Sequence, residues 1–115
     1  MTLGCSSNKK IAGTWTEKWV GVGEGNPVTY VDTIQINLSL KNSRKLSCLN
    51  NRNYIYRDIS FKDRKLNFKM DNIVDAEEKF FVYYKLVLRE GNKLFQGTIL
   101  NSKNQTDSVI FEKIK

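Results

Sequence analysis

Thr33-Ile-Gln-Ile-Asn-Leu-Ser-Leu40 alternates without a break. Ile34, Ile36, Leu38 and Leu40 fall on one side of an extended chain; Gln35, Asn37 and Ser39 fall on the other. Successive side chains of a strand point to opposite faces, so this stretch reads as a strand with one face in a core and one in water. Lys65-Leu-Asn-Phe-Lys-Met70 repeats the pattern with Leu66, Phe68 and Met70 inward, and Phe80–Arg89 extends it with Phe80, Val82, Tyr84, Leu86 and Leu88. Tyr54–Phe61 reads as a further strand with Ile55, Ile59 and Phe61 on its apolar face. Weaker alternation marks Ala12–Val20, Leu46–Leu49, Leu94–Leu100 and Ser108–Ile114.

Turn chemistry separates these eight segments. Gly21-Val-Gly-Glu-Gly-Asn-Pro27 reads as a glycine-rich loop, and Asn101–Thr106 as a polar loop. Lys62-Asp-Arg-Lys65 and Glu90-Gly-Asn-Lys93 read as tight hairpin turns. Only Asp71–Glu78 has room for a helical turn, and it lacks a helical stripe. Short strands linked by hairpins predict an all-β, antiparallel, up-and-down meander. Eight is about the number at which such a sheet closes into a barrel around its own side chains or one small ligand. An open β-sandwich is the alternative, and periodicity alone does not separate the two.

The chain has 115 residues, 40% of them apolar and 27% charged, which fits one domain with a modest core. We assign residues 11–115 to that domain. No apolar run approaches the roughly 20 residues that span a bilayer as a helix. The formal net charge is +7. Residues 41–69 hold nine basic side chains and two acids, whereas the rest of the chain has ten of each. The excess therefore lies on Lys41, Arg44, Lys45, Arg52, Arg57, Lys62, Arg64, Lys65 and Lys69. Such a basic face suits an anionic membrane, polysaccharide or acidic protein, or simply keeps the surface solvated.

Little in the sequence supports catalysis. There is no histidine, which removes the Ser-His-Asp and Cys-His arrangements and the commonest metal ligand. Gly21-Val-Gly-Glu-Gly25 lacks the lysine and following helix of a phosphate cradle. Asp75, Glu77 and Glu78 cluster where solvation or capping explains them. Cys48 sits in the strand-like Lys45–Leu49 and reads as a buried thiol, and two cysteines imply no disulfide framework. No metal, cofactor or enzymatic activity is expected.

The candidate site is the interior. Trp15, Glu17 and Trp19 share a face of the first strand, and Arg57 shares one with Ile55 and Ile59. With both apolar rows inward, Glu17 and Arg57 point inward too, and they are expected to pair or to reach water, because a lone buried charge is very costly. Either that pair is structural, or it is the polar floor of a cavity lined by Trp15, Trp19, Phe68 and Tyr84 for a small apolar or amphipathic ligand. On this phase Tyr54 and Tyr56 face outward among basic residues, which gives a weaker alternative: a base-stacking surface for single-stranded nucleic acid.

Two stretches carry a resemblance. Gly13-Thr-Trp15 resembles the Gly-X-Trp start of lipocalin and calycin barrels, in which the tryptophan closes one end. Taken whole, with the ending Gly91–Thr98 and Ser108–Ile114, the chain resembles small lipocalin-like lipoproteins of Bacteroidetes-type bacteria. Leu3-Gly-Cys5 followed by Ser6-Ser-Asn-Lys-Lys10 resembles the end of a bacterial lipobox and its tether. The resemblance implies a lipid on Cys5, residues 1–10 as the tether and a place in the bacterial cell envelope, at the outer membrane or in the periplasm. It also implies a binding role, with a protein-binding, inhibitor-type barrel as a second version.

Overall fold

Each alternating stretch forms a strand. The computed structural model describes residues 11–23, 26–38, 44–72 and 80–114, with the backbone alone at 20–23, 26–30, 38 and 44–45. The strands are β1 (Gly13–Gly23), β2 (Asn26–Leu38), β3 (Arg44–Cys48), β4 (Tyr54–Lys62), β5 (Lys65–Asn72), β6 (Phe81–Leu88), β7 (Leu94–Asn101) and β8 (Thr106–Lys113). All pairings are antiparallel, and one sheet holds all eight strands in the order β3-β2-β1-β8-β7-β6-β5-β4. First and last strands pair, from Trp15 opposite Lys113 to Trp19 opposite Val109. β3 and β4 lie beside each other without a ladder. The result is a nearly closed up-and-down barrel with its seam between β3 and β4, and the sandwich alternative falls.

The inward row is apolar almost throughout. Ile34, Ile36, Leu66, Phe68, Met70, Val82, Tyr84, Leu86 and Leu88 are all buried, as the alternation requires. β7 and β8 add Phe95, Ile99, Val109 and Phe111. Each side chain of this size contributes roughly 1.5–3 kcal/mol on burial. At the start of β1, Trp15 is fully buried, stacks obliquely on Phe95 at 4.9 Å and donates its indole N–H to the Ile11 carbonyl at 2.8 Å. Trp15 is thus held by packing and by a hydrogen bond at the start of β1.

Two expectations need correction. The glycine-rich stretch read as a loop is mostly strand: β1 runs to Gly23 and β2 starts at Asn26, with Val22 opposite Pro27. β8 pairs with β1 only up to Trp19. Beyond it the hairpin is a two-stranded ribbon, whose free edges tolerate a proline. The helical turn proposed within 71–78 lies outside the described residues apart from Asp71 and Asn72, which belong to β5.

The second correction concerns β4. Arg57 pairs with Lys69, but Ser60 pairs with Asn67, so Asp58 and Ile59 together oppose Phe68. This is a β-bulge, and Asp58 takes the left-handed conformation (φ 55°) that its extra residue requires. The bulge reverses the phase of the strand. Tyr54 and Tyr56 point inward on its first half, and Ile59 and Phe61 on its second. Ile55 and Arg57, expected inside, are exposed.

At Gly97, β7 crosses β6 too closely for any side chain: an added Cβ would lie 1.8 Å from the Lys85 carbonyl oxygen. Backbone cannot yield as a flexible side chain does. Gly97→Ala is expected to destabilise the barrel by about 3 kcal/mol or more, by the cost of overpacking. Urea denaturation of the two proteins measures it.

Candidate functional site

Among the described residues one charged side chain is buried, and it lies inside the barrel. Glu17, on β1, is 1% exposed and its carboxylate accepts a 2.5 Å hydrogen bond from the Tyr84 hydroxyl on β6. The two strands stand three places apart in the sheet, so the bond crosses the lumen. Burial raises the Glu17 carboxyl to about 7; the Tyr84 hydrogen bond pulls it down, and the Asp32 carboxylate adds to the rise. Burial likewise drives the phenols of Tyr84 and Tyr56 far above their ordinary range. The Tyr56 hydroxyl is buried without a hydrogen-bond partner.

The expected Glu17–Arg57 pair does not form. The bulge turns Arg57 to the outer face, where its Nε lies 2.7 Å from Asp71 Oδ2. Trp15, Phe68 and Tyr84 are inside, as expected, and belong to one packed cluster. Phe68 stacks on Tyr84 at 4.4 Å, and both meet Phe111 from β8 at 6.3 and 6.1 Å. Phe111 meets Phe95, which carries Trp15. Side chains from β1, β5, β6, β7 and β8 therefore meet across the lumen at this level. Trp19 is half-buried against the same cluster. Tyr54 and Tyr56 also pack inward, which removes the base-stacking surface.

The expected basic face divides. Lys62, Arg64 and Lys65 sit at the β4–β5 turn, and Arg52 sits at the other end of β4. Lys69 lies midway along β5, with its ammonium 4.5 Å from the Phe81 ring centre and 3.8 Å from Asp71 Oδ1. One carboxylate thus serves both Arg57 and Lys69. Arg64 is committed to the backbone: its Nε donates to Leu88 O at 3.0 Å and its Nη2 to Arg89 O at 2.6 Å. Arg44 and Lys45 are β3 residues described by backbone alone, and Lys41 and Cys5 lie outside the described residues. Cys48 is a buried free thiol that donates to Asn50 Oδ1 at 3.1 Å. Burial pushes its pKa up, which suits an inert group. Among the described residues no group of acids and cysteines could hold a metal ion.

A groove that the sequence reading missed crosses the outer face of β5, β6 and β7. Its volume is about 570 Å³. Asn67, Thr98 and Thr106 offer amide and hydroxyl groups, Lys69 and Lys85 offer ammoniums, and Tyr83 offers a ring that is 43% exposed. Asp58, turned out by the bulge, stands among the lining residues. Phe68, Tyr84 and Ile99 underlie it. The polar half of each alternating strand held these residues, but nothing in a linear pattern shows that three neighbouring strands make a hollow.

The chain is similar in structure to a redesigned β barrel, with a TM-score of 0.68 at 10% identity, covering 96% of this chain and 97% of that one. A likeness at that identity shows the fold alone. No protein-family model and no curated protein matches the sequence.

Because the folded protein holds the Glu17 proton more tightly than the unfolded chain does, its stability should fall as pH rises from about 4.5 to about 7 and then level off. The full drop is about 3 kcal/mol. Glu17→Gln, which keeps an acceptor for Tyr84, should abolish that slope and be the more stable protein at pH 8. Removing the unpartnered hydroxyl in Tyr56→Phe should leave stability unchanged or raise it by up to about 1 kcal/mol, whereas Tyr84→Phe should cost about 1–3 kcal/mol. Urea midpoints across pH 4–9 test all three.

Proposed function

We propose that this protein is a non-enzymatic binding barrel of the bacterial cell envelope, held to the membrane by a lipid on Cys5, and that its working surface is the outer groove of β5–β7. One observation carries this reading: Lys85 and Lys69 flank a hollow of about 570 Å³ that also presents a tyrosine ring, hydroxyls and an amide. Among the described residues Lys85 forms no ion pair. That combination suits an anionic polyol, since ammoniums meet carboxylates, hydroxyls and amides meet sugar hydroxyls, and a ring stacks on a sugar face. We therefore take the anionic envelope partner to be an acidic polysaccharide.

The packed rings at the Trp15, Phe68 and Tyr84 level argue against the small-molecule cavity expected there. The sealed state of Glu17 argues against its acting on a substrate. A buried Trp15 at the start of the first strand of an up-and-down barrel supports the likeness to lipocalin-type lipoproteins.

Titration with a hexameric galacturonate fragment, with neutral maltohexaose as control, tests the groove. The acidic oligomer should bind, Lys85→Glu should weaken it at least 10-fold, and Tyr83→Ala should weaken it about 5-fold; these are changes of roughly 1 kcal/mol or more. Equal binding of the neutral oligomer, or no effect of Lys85→Glu, would overturn the proposal. The tether is tested separately. In a host that processes lipoproteins, Cys5→Ala placed behind a lipoprotein signal should move the protein out of the membrane fraction.

A further inference from the structure

Six of the described basic side chains outside the groove gather at one end of the barrel. That end is formed by the β4–β5 turn, the β6–β7 turn, the end of β8 and the start of β1. It carries Lys62, Arg64, Lys65, Arg89, Lys93 and Lys113, against Asp63 and Glu90. Glu112, on the neighbouring stretch of β8, is held by Lys18 at 2.9 Å. Among the described residues of the opposite end, 49–53 and 101–106, the cations are Arg52 and Lys103. The described cations are thus concentrated at the rim.

This rim is one fixed surface. The Arg64 guanidinium holds the Leu88 and Arg89 carbonyls, and the Leu88 amide donates to Arg64 O at 2.7 Å. The Lys113 amide donates to Lys93 O at 3.0 Å, and the Ile114 amide to Thr14 O at 2.7 Å. Hydrogen bonds therefore link each turn to the next. The turn itself is costly. Asp63 and Arg64 both take positive φ (53° and 65°), the mirror-image turn that glycine or asparagine normally supplies. Lys62 and Lys65 stand directly opposite each other, and like charges so placed destabilise a hairpin. Folding gains nothing from that pairing, whereas a surface that must present concentrated positive charge does. Two exposed apolar residues stand among these cations: Val87, 39% exposed and paired with Lys65, and Ile114, 55% exposed.

We propose that this rim is a docking surface for an anionic lipid bilayer, with Lys62, Lys65, Arg89 and Lys93 meeting headgroup phosphates while Val87 and Ile114 reach the interface. It goes beyond the groove reading and rests on the envelope placement proposed above. β1 begins at this rim, so the ten residues preceding Ile11, Cys5 among them, join the barrel on the side that would face the bilayer. A lipid on Cys5 and a basic rim would then act together as the two signals that stable attachment takes. Basic residues near an anionic surface each add about 1 kcal/mol of attraction, or roughly fivefold in partition, and salt removes it.

The test uses the 115-residue chain made without lipid, so that its outcome is independent of acylation. Cosedimentation is measured with vesicles of phosphatidylcholine containing 30% phosphatidylglycerol, and with pure phosphatidylcholine vesicles. The chain should bind the anionic vesicles at low salt, release in 0.5 M salt, and ignore the neutral ones. Lys62→Glu with Lys65→Glu should weaken binding at least 10-fold while leaving galacturonate binding in the groove unchanged, which also shows that the double variant is folded. Arg52→Glu with Lys103→Glu, at the opposite end, should leave vesicle binding within twofold. Equal losses from the two double variants would mean undirected charge attraction and would overturn the proposal. So would failure to bind anionic vesicles, or tighter binding to single-stranded DNA than to the vesicles at matched salt.

Discussion

A carboxyl group on the first strand meets a phenol on the sixth across the inside of the barrel, and that contact limits what the interior can be. An eight-stranded barrel is just wide enough to hold its own side chains or one small ligand. Here the Glu17–Tyr84 bond and the Phe68–Tyr84–Phe111 cluster occupy the middle of the lumen. The Tyr84 ring stacks on Phe68, so its hydroxyl is aimed by packing rather than by chance. Glu17 in turn cannot leave without abandoning its partner. The pair therefore behaves as a cross-brace between opposite walls, and its proton occupancy changes near neutral pH because burial and the hydrogen bond act in opposite directions.

The brace explains why binding is better sought outside. Filling a lumen with aromatic side chains leaves the outward half of each strand as the accessible surface. Most of that surface is ordinary polar alternation. On β5–β7 it is hollowed, and the bulge contributes to it: the extra residue that turns Tyr56 inward also places Asp58 among the groove residues. Core phase and outer surface are thus set by the same irregularity.

The limits of sequence reading trace to that irregularity as well. Regular alternation in Ile34–Ile36, Leu66–Met70 and Val82–Leu88 showed which side chains are buried, because a strand of fixed pleat has only two faces. β4 broke the rule. Two aromatic residues, Tyr54 and Tyr56, lead one phase, while Ile59 and Phe61 lead the other, and an Arg-Asp pair stands between them. Asp is a poor strand former that tolerates left-handed backbone better than most residues, so the signal for a bulge was present. Carrying one phase through all eight residues put Arg57 inside and Tyr54 and Tyr56 outside. It also invented an ion pair with Glu17 and missed that the carboxylate's partner was Tyr84, a residue already placed on the inward row. Glu17 itself was legible, since Trp15 and Trp19 fix its face. The groove was not, because hollowness depends on how three strands curve together.

Charge position shows the same division between local and global information. Composition located the excess in residues 41–69, but a stretch of sequence is not a face when strands reverse within it. Antiparallel topology sends Arg52 to one end and Lys62–Lys65 to the other, and brings Arg89, Lys93 and Lys113 from outside that stretch to join the latter. The rim is therefore assembled by the meander from three separate segments, each of which is unremarkable alone. Two features of its leading turn work against stability: left-handed Arg64 and the facing pair Lys62–Lys65. The three hydrogen bonds between Arg64 and the end of β6 offset the first. No ion pair among the described residues offsets the second, and an anionic surface lying against a facing pair of ammoniums would relieve their repulsion.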